Sequence, residues 1–126
     1  PGDTAYNVSK AGVKAMTEGL AHSLREQVGN RISAHLLVPG FTYTGMVAAH
    51  LPDKPAAAWT SDEVVDTMLA GIARGDFYLW CLDNETTMET DAKRVLWNAN
   101  DIVEGRPALS RWHADYSQAF AEYMKG

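Results

Sequence analysis

The stretch YNVSKAGVKAMTEGLAHSLREQVGNRISAHLLVPG, residues 6–40, decides how the chain is expected to fold. Residues 6–28 carry apolar or small side chains at close to the 3.6-residue helical period, and Asp3 or Thr4 can cap this helix. The GNR that follows ends the helix, because glycine suits the position just after a last helical turn. The apolar run ISAHLLV, residues 32–38, predicts a strand buried on both faces, as parallel strands are.

A second strand is predicted downstream of a loop and a helix. Residues 39–60 are expected to form the loop, because Pro39 cannot extend a central strand. Residues 61–75 predict a helix with Ser61 as its cap, acidic residues in its first turn and a glycine at its end. FYLWC at residues 77–81 then predicts a short strand. A strand, a helix and a strand in this order indicate a parallel, right-handed βαβ unit.

The remaining residues, 86–126, are predicted to be helical, with helices at 86–104 and 111–124. Two parallel strands alone make a poor sheet, and both outer edges would be open to further pairing. The predicted fold class is therefore α/β, in the order helix-strand-helix-strand-helix-helix. Residues 1–126 are interpreted as a single partial domain, the C-terminal part of a doubly wound, Rossmann-like fold. Pro1, in place of an initiating Met, favours a processed start or a piece of a longer protein.

Composition excludes several classes of function. The chain has 126 residues and a formal net charge of -5, so nucleic acid and anionic lipid are not expected partners. No apolar stretch approaches the roughly 20 residues of a membrane span. The single cysteine, Cys81, forbids an internal disulfide and fits a reducing compartment, so a cytoplasmic location is expected.

Tyr6 and Lys10 stand one helical turn apart at the start of the first helix, and so share a face. A free phenol has a pKa of about 10, and a nearby ammonium lowers that value by stabilising the phenolate. A phenol tuned in this way can give and take a proton near neutral pH. The same spacing also occurs by chance on solvated helix faces, so spacing alone leaves both interpretations open.

The order of these features resembles the short-chain dehydrogenase/reductase family. There, a Tyr-x-x-x-Lys helix is followed by a strand that ends in Pro-Gly and then by a threonine. The match includes YNVSKAG and RISAHLLVPGFTYTGM and covers residues 1 to about 46 closely. The later segments FYLWCLDNE and RPALSRWHADY look like the last strand and tail of some bacterial members.

The resemblance implies an oxidoreductase that transfers hydride between NAD or NADP and a carbonyl or alcohol. Tyr6 would be the acid/base, and Lys10 would be its electrostatic partner and would bind the nicotinamide ribose. In that family a branched apolar residue is usual at the position of Thr42. The contact implied at this position is made by the backbone, so it should survive the replacement by threonine. The segment implied to flank the nicotinamide comprises Pro39, Gly40, Thr42 and Thr44.

Several parts of that family's pattern are missing from these residues. No glycine-rich turn for the pyrophosphate is present, and neither is the residue that selects the adenosine ribose. Only five residues precede Tyr6, so the serine that orients the substrate carbonyl is also absent. We therefore expect a truncated, C-terminal portion with little activity alone.

Two alternatives stay open. The chain could be a non-catalytic fragment that self-associates through the 6–28 helix and open strand edges, as a homo-oligomer or with a missing N-terminal fragment. It could also be a cofactor-independent lyase or esterase that uses Tyr6 and Lys10.

Other chemistry-bearing residues are given structural interpretations. Cys81 is expected to be an inert buried thiol. The segment RPALSRW, residues 106–112, has the look of a docking segment, because Arg106 and Arg111 flank a proline turn. No metal site is expected from the histidines, which lack ligand spacing: His22, His35, His50 and His113. A solvated helix start is expected for the acidic residues Asp83, Glu85, Glu89 and Asp91. Packing of a C-terminal element is expected for Trp97, Trp112, Tyr116, Phe120 and Tyr123.

Overall fold

The computed structural model describes residues 2–126, so residue 1, where the predicted domain begins, lies outside the described residues. The chain is a mixed α/β protein, mostly helical, with small parallel sheets. It divides into two compact units, one spanning Asp3–Glu85 and the other centred on Thr86–Gly126. No helix within residues 2–126 combines the length and apolar character needed to cross a membrane.

The first unit begins with the long helix α1, Thr4–Val28. Asp3 caps it as predicted, because its Oδ1 accepts a hydrogen bond of 2.9 Å from the backbone N–H of Tyr6. Gly29 ends it at a φ of 62°, a left-handed value that glycine adopts without steric cost. None of the 25 residues of α1 is buried, so its apolar side chains remain accessible to solvent.

A parallel βαβ unit follows, formed by β1 (Leu36–Pro39), α3 (Ser61–Arg74) and β4 (Tyr78–Cys81). The two strands pair in parallel from Leu36 opposite Tyr78 to Pro39 opposite Cys81, as the sequence predicted. The core of the first unit is small, and its buried apolar residues are Ala58, Val64, Leu79 and Cys81.

The prediction of a buried strand over 32–38 was wrong in two respects. The strand starts only at Leu36, because β4 has four residues and can pair with only four residues of β1. The first hydrogen bond between the two segments is the one that the Leu36 N–H donates to the Phe77 carbonyl at 2.8 Å. Its residues up to Val38 are half-buried and Pro39 is exposed, because within residues 2–126 the strand has a neighbour on one edge only.

The segment 39–60, predicted to be a loop, contains short strands and a helical turn. These elements are too short to produce a periodic pattern in the sequence. Strands β2 (Thr42–Tyr43) and β3 (Trp59–Thr60) form a second parallel pair, and α2 (Gly45–Ala48) is a single helical turn between them.

The cap of α3 is Thr60 and not Ser61 as predicted. The Thr60 hydroxyl accepts from the Glu63 N–H at 3.2 Å, and the Glu63 carboxylate accepts from the Thr60 N–H at 2.7 Å. This reciprocal pair is a capping box, which satisfies two backbone donors together. Gly75 ends the helix at a φ of 80°, as expected.

The second unit contains α4 (Met88–Val103) and α5 (Ser117–Lys125). The helix predicted from residue 111 starts late, because Leu109 adopts a left-handed φ of 58° and His113 is extended. Two short 3₁₀ turns, Ser110–Trp112 and Ala114–Tyr116, occupy the intervening segment.

Candidate active site

Tyr6 and Lys10 lie together in the first turns of α1. The Lys10 Nζ atom is 5.4 Å from the centroid of the Tyr6 ring, within the range of a cation–π contact. The Tyr6 side chain is 56% exposed, so a solute can reach its ring and hydroxyl directly. The predicted neighbouring positions thus bring a phenol and an ammonium onto one accessible face.

This face borders a cleft of about 310 Å³, which we call the Tyr–Lys cleft. Pockets that hold small ligands are typically about 300 to 1,000 Å³, so the Tyr–Lys cleft lies at the lower end of that range. Helix α1 forms one wall and strand β1 the other. The lining residues are Tyr6, Lys10, Val13, Lys14, Leu36, Leu37, Val38 and Pro39.

Gly40 follows Pro39 at a point where two stretches of backbone approach closely. Its N–H donates to the Cys81 carbonyl at 2.6 Å. A Cβ added at Gly40 would stand 3.1 Å from both the Cys81 oxygen and the carbonyl carbon of Leu82. Packing therefore favours a glycine here, independently of any ligand.

The two threonines named with Gly40 are not lining residues of the Tyr–Lys cleft. Thr42 is half-buried in β2, and its hydroxyl donates to the Gly40 carbonyl at 3.2 Å. Thr44 is exposed and precedes α2 without a side-chain cap. The structure therefore brings Tyr6, Lys10 and Pro39 together in the cleft, while Gly40, Thr42 and Thr44 continue along the chain beyond it.

Lys14 is a charged residue of the cleft that the sequence interpretation missed. Its Nζ atom lies 2.6 Å from Glu18 Oε1, and Glu18 also accepts a hydrogen bond from the Tyr78 hydroxyl. The hydrogen bonds from Lys14 and then from Tyr78 lower the pKa of Glu18, and the same contacts raise the pKa of Lys14 and of Tyr78. The four-residue spacing from Lys14 to Glu18 was a sequence signal for the ion pair, but its link to Tyr78 is long-range.

The segment after the threonines is held by a tyrosine that the sequence did not single out. The Tyr43 hydroxyl lies 3.0 Å from the Leu51 carbonyl and 2.7 Å from the Pro52 carbonyl, and it donates toward both. These contacts tie residues 51–52 back to β2.

Among residues 2–126, no group of three or more His, Cys, Asp or Glu side chains is arranged to hold a metal ion. Two acidic residues named in the sequence pair with cations of their own helix, Glu89 with Lys93 and Asp91 with Arg94. Cys81 is 1% exposed, and burial raises the pKa of its thiol, which confirms the interpretation of a buried structural cysteine.

The aromatic residues of the second unit mostly pack as expected. Trp97 is buried and contacts the rings of Phe120 and Tyr123. Trp112 differs, because it is 50% exposed. The interpretation of Arg106 as a docking residue was wrong, since its side chain is 9% exposed and its guanidinium lies over the Trp97 ring.

Comparison with known proteins adds no assignment: no family model, no curated protein and no solved structure gives a significant match to the chain.

Proposed function

We propose that the chain carries the proton-transfer site of an NAD(P)-dependent oxidoreductase of the short-chain dehydrogenase/reductase type. The observation that supports this best is the Tyr–Lys cleft. An accessible phenol, a neighbouring ammonium and all four residues of β1, its carboxyl end included, line one cavity of about 310 Å³. Ligands of open α/β sheets commonly bind beyond the carboxyl ends of the strands.

Each residue of the cleft has a role in this proposal. The Tyr6 hydroxyl donates a proton to a carbonyl oxygen, or accepts one from an alcohol. Lys10 is the electrostatic partner of Tyr6, with its Nζ atom 5.4 Å from the ring centroid, and it binds the ribose hydroxyls. Pro39 contributes a rigid wall without an N–H of its own. When bound, the nicotinamide cofactor supplies or accepts the hydride.

The cleft has a suitable size and chemistry for the nicotinamide nucleoside end of the cofactor. The ribose hydroxyls can pair with Lys10, and the flat ring can lie against the apolar side chains of Leu36 and Val38. The pyrophosphate has no glycine-rich turn among these 126 residues. We therefore propose that a separate polypeptide segment supplies the phosphate site, and that the chain alone binds the cofactor weakly.

The test combines mass and binding measurements. Native mass spectrometry shows whether a fragment with a glycine-rich turn copurifies, and titration with NADH and NADPH measures affinity with and without it. Tight, stoichiometric binding to the 126 residues alone would contradict the proposed division of the site.

Activity then tests the role of Tyr6 in whichever form binds the cofactor. We expect Tyr6→Phe to lower carbonyl reduction by about 10²- to 10⁴-fold, the usual contribution of a general acid. Tyr116→Phe, in the second unit, is the matched control and should retain the rate. An unchanged rate in Tyr6→Phe would remove this residue from the proposed chemistry.

Self-association is a second candidate, supported by the exposure of α1. Val8 and Met16 are 67% and 68% exposed on this helix, although their apolar side chains favour burial. Sedimentation velocity over a range of concentrations tests it. Met16→Lys should reduce association, whereas Ile102→Lys, a control at an exposed apolar position of α4, should not. A monomer at all concentrations would rule this candidate out.

A further inference from the structure

A second pocket lies near the other ends of the elements that form the Tyr–Lys cleft. Its volume is about 410 Å³, and we call it the Ser–His pocket. The end of α1, the segment before β1 and the turn before β4 line it. Arg25, one of its residues, stands about 28 Å along the helix axis from Tyr6, at 1.5 Å per residue. The two cavities are therefore separate sites.

Ser33 and His35 face each other at the edge of this pocket. The Ser33 Oγ atom lies 2.7 Å from His35 Nε2. On the other side of the ring, His35 Nδ1 lies 2.6 Å from the backbone carbonyl oxygen of Asp76. A carbonyl oxygen can only accept, so Nδ1 must carry the proton that it shares with Asp76.

The tautomer that follows is the one that a general base requires. With the proton on Nδ1, the neutral imidazole has its lone pair on Nε2, directed at the Ser33 hydroxyl. Ser33 then donates to His35. Hydrolytic triads consist of a nucleophile, a base and a group that orients the base. Here Ser33 and His35 take the first two places, and the backbone carbonyl of Asp76 takes the place of the usual carboxylate.

The orienting carbonyl is itself held in place. The Asp76 N–H donates to the Gly71 carbonyl at 3.0 Å, and the Asp76 carboxylate pairs with Arg74 at 2.7 Å. The His35 ring is half-buried, and it bridges the segment before β1 to the turn before β4. Because Asp76 is fixed through backbone and side chain, the imidazole has little freedom to rotate away from Ser33.

We propose that Ser33 and His35 form a nucleophile–base pair that hydrolyses small carboxylic esters. Arg25 and Asn30 line the same pocket and offer N–H donors to the charge that develops on the ester oxygen. Ser33 is exposed, so an ester can reach its hydroxyl without rearrangement of the core.

The chemical step needs no reactant other than the ester and water. Ser33 Oγ bonds to the ester carbonyl carbon while His35 Nε2 takes the hydroxyl proton. The tetrahedral adduct collapses, the bond from carbon to the alcohol oxygen breaks, and His35 returns the proton to the departing alcohol. Water then attacks the acyl-serine, gives a proton to His35, and the acid leaves as Ser33 regains its hydrogen.

A fluorophosphonate probe and p-nitrophenyl acetate test this proposal on the complete chain. We expect a single phosphonyl adduct by intact mass, mapped to Ser33 by peptide sequencing. Ser33→Ala and His35→Gln should each lower ester hydrolysis by about a hundredfold or more, the typical contribution of a nucleophile or general base. Circular dichroism checks that the variants remain folded.

Matched controls separate this site from background hydrolysis. Ser23→Ala and His50→Gln change the same residue types at exposed positions and should retain the wild-type rate. The proposal is overturned if the adduct is absent from Ser33, or if Ser33→Ala hydrolyses the ester as fast as the unaltered chain.

Discussion

Replacing Trp97 with alanine should unfold the C-terminal unit. The Trp97 side chain is 5% exposed, and its ring centroid lies 5.2 Å from those of both Phe120 and Tyr123. The Arg106 guanidinium carbon is 4.0 Å from the Trp97 ring, and the indole N–H donates to Ser110 Oγ at 2.8 Å. One side chain therefore joins α4, α5 and the segment between them.

The expected loss is comparable to the whole stability of the unit. Truncating a buried tryptophan to alanine costs about 3–5 kcal/mol, through lost burial and the cavity left behind. Stability is roughly 0.05–0.15 kcal/mol per residue, so a unit of about 40 residues has about 2–6 kcal/mol in total. A loss of 3 kcal/mol already changes the folding equilibrium by more than a hundredfold.

Hydrogen exchange read by mass spectrometry provides the assay. Peptides from α4 and α5 should lose most of their protection in Trp97→Ala. The matched control is Trp112→Ala, which removes the same side chain from a position that is 50% exposed and should cost under about 1 kcal/mol. Equal effects of the two substitutions, or protection within threefold of the unaltered chain in Trp97→Ala, would refute the reasoning.

Three further predictions concern stability. Gly71→Ala should destabilise the chain by about 0.5–2 kcal/mol in urea unfolding, because its Cβ would stand 2.5 Å from a methyl group of Leu79, which is 3% exposed. Thr60→Ala should cost about 0.5–2 kcal/mol, because it removes the capping box of α3. Hydrogen bonds from the Ser110 hydroxyl first, and then from the Ser110 N–H and the Arg106 guanidinium, hold the pKa of Asp101 below its ordinary value of 3.8. The ionised carboxylate therefore stabilises the fold fully above that value, and this contribution is lost as the pH falls through the lower folded-state pKa. Urea midpoints of the second unit should decline below about pH 4, and Asp101→Asn should flatten that decline while lowering the midpoint at pH 7.

The first two of these predictions have controls within the chain. Gly12→Ala places a methyl group where no atom lies within 4 Å, and should stabilise α1 by about 0.5–1 kcal/mol. Thr44→Ala removes a threonine at a helix start whose side chain makes no cap, and should be neutral. A destabilised Gly12→Ala, or a Thr44→Ala as costly as Thr60→Ala, would contradict the packing and capping arguments. An unchanged midpoint between pH 4 and pH 2 would contradict the one for Asp101.

Local signals in the sequence predicted most of the first unit's elements. The period of α1, its Asp3 cap and the glycine ends of α1 and α3 depend only on neighbouring residues, and each is present. The parallel pairing of β1 with β4 followed from the strand–helix–strand order. These features are predictable because their physical causes lie within a few residues.

The features that the sequence did not predict depend on long-range contacts. The two-residue strands β2 and β3 are too short to show alternation. Arg106 was interpreted as part of a docking segment because it flanks a proline turn, but its side chain is 9% exposed and Asp101 compensates its charge within the second unit. The Tyr6–Lys10 pair was visible from spacing, whereas the bond from His35 to Asp76 spans 41 positions and has no local signature.

The close approach of backbone at Gly40 bears on how substitution among descendants of this sequence should be interpreted. A methyl group there would press on the backbone of residues 81–83, so folding alone selects against change at this position. Tyr6 is exposed, and folding alone tolerates many side chains in its place. Retention of the Pro-Gly pair in a diverging lineage would therefore record only that the chain still folds. Retention of Tyr6 together with Lys10 would record selection for the proposed proton transfer. Substitution of these two residues in a lineage that keeps Gly40 would mark the loss of that activity.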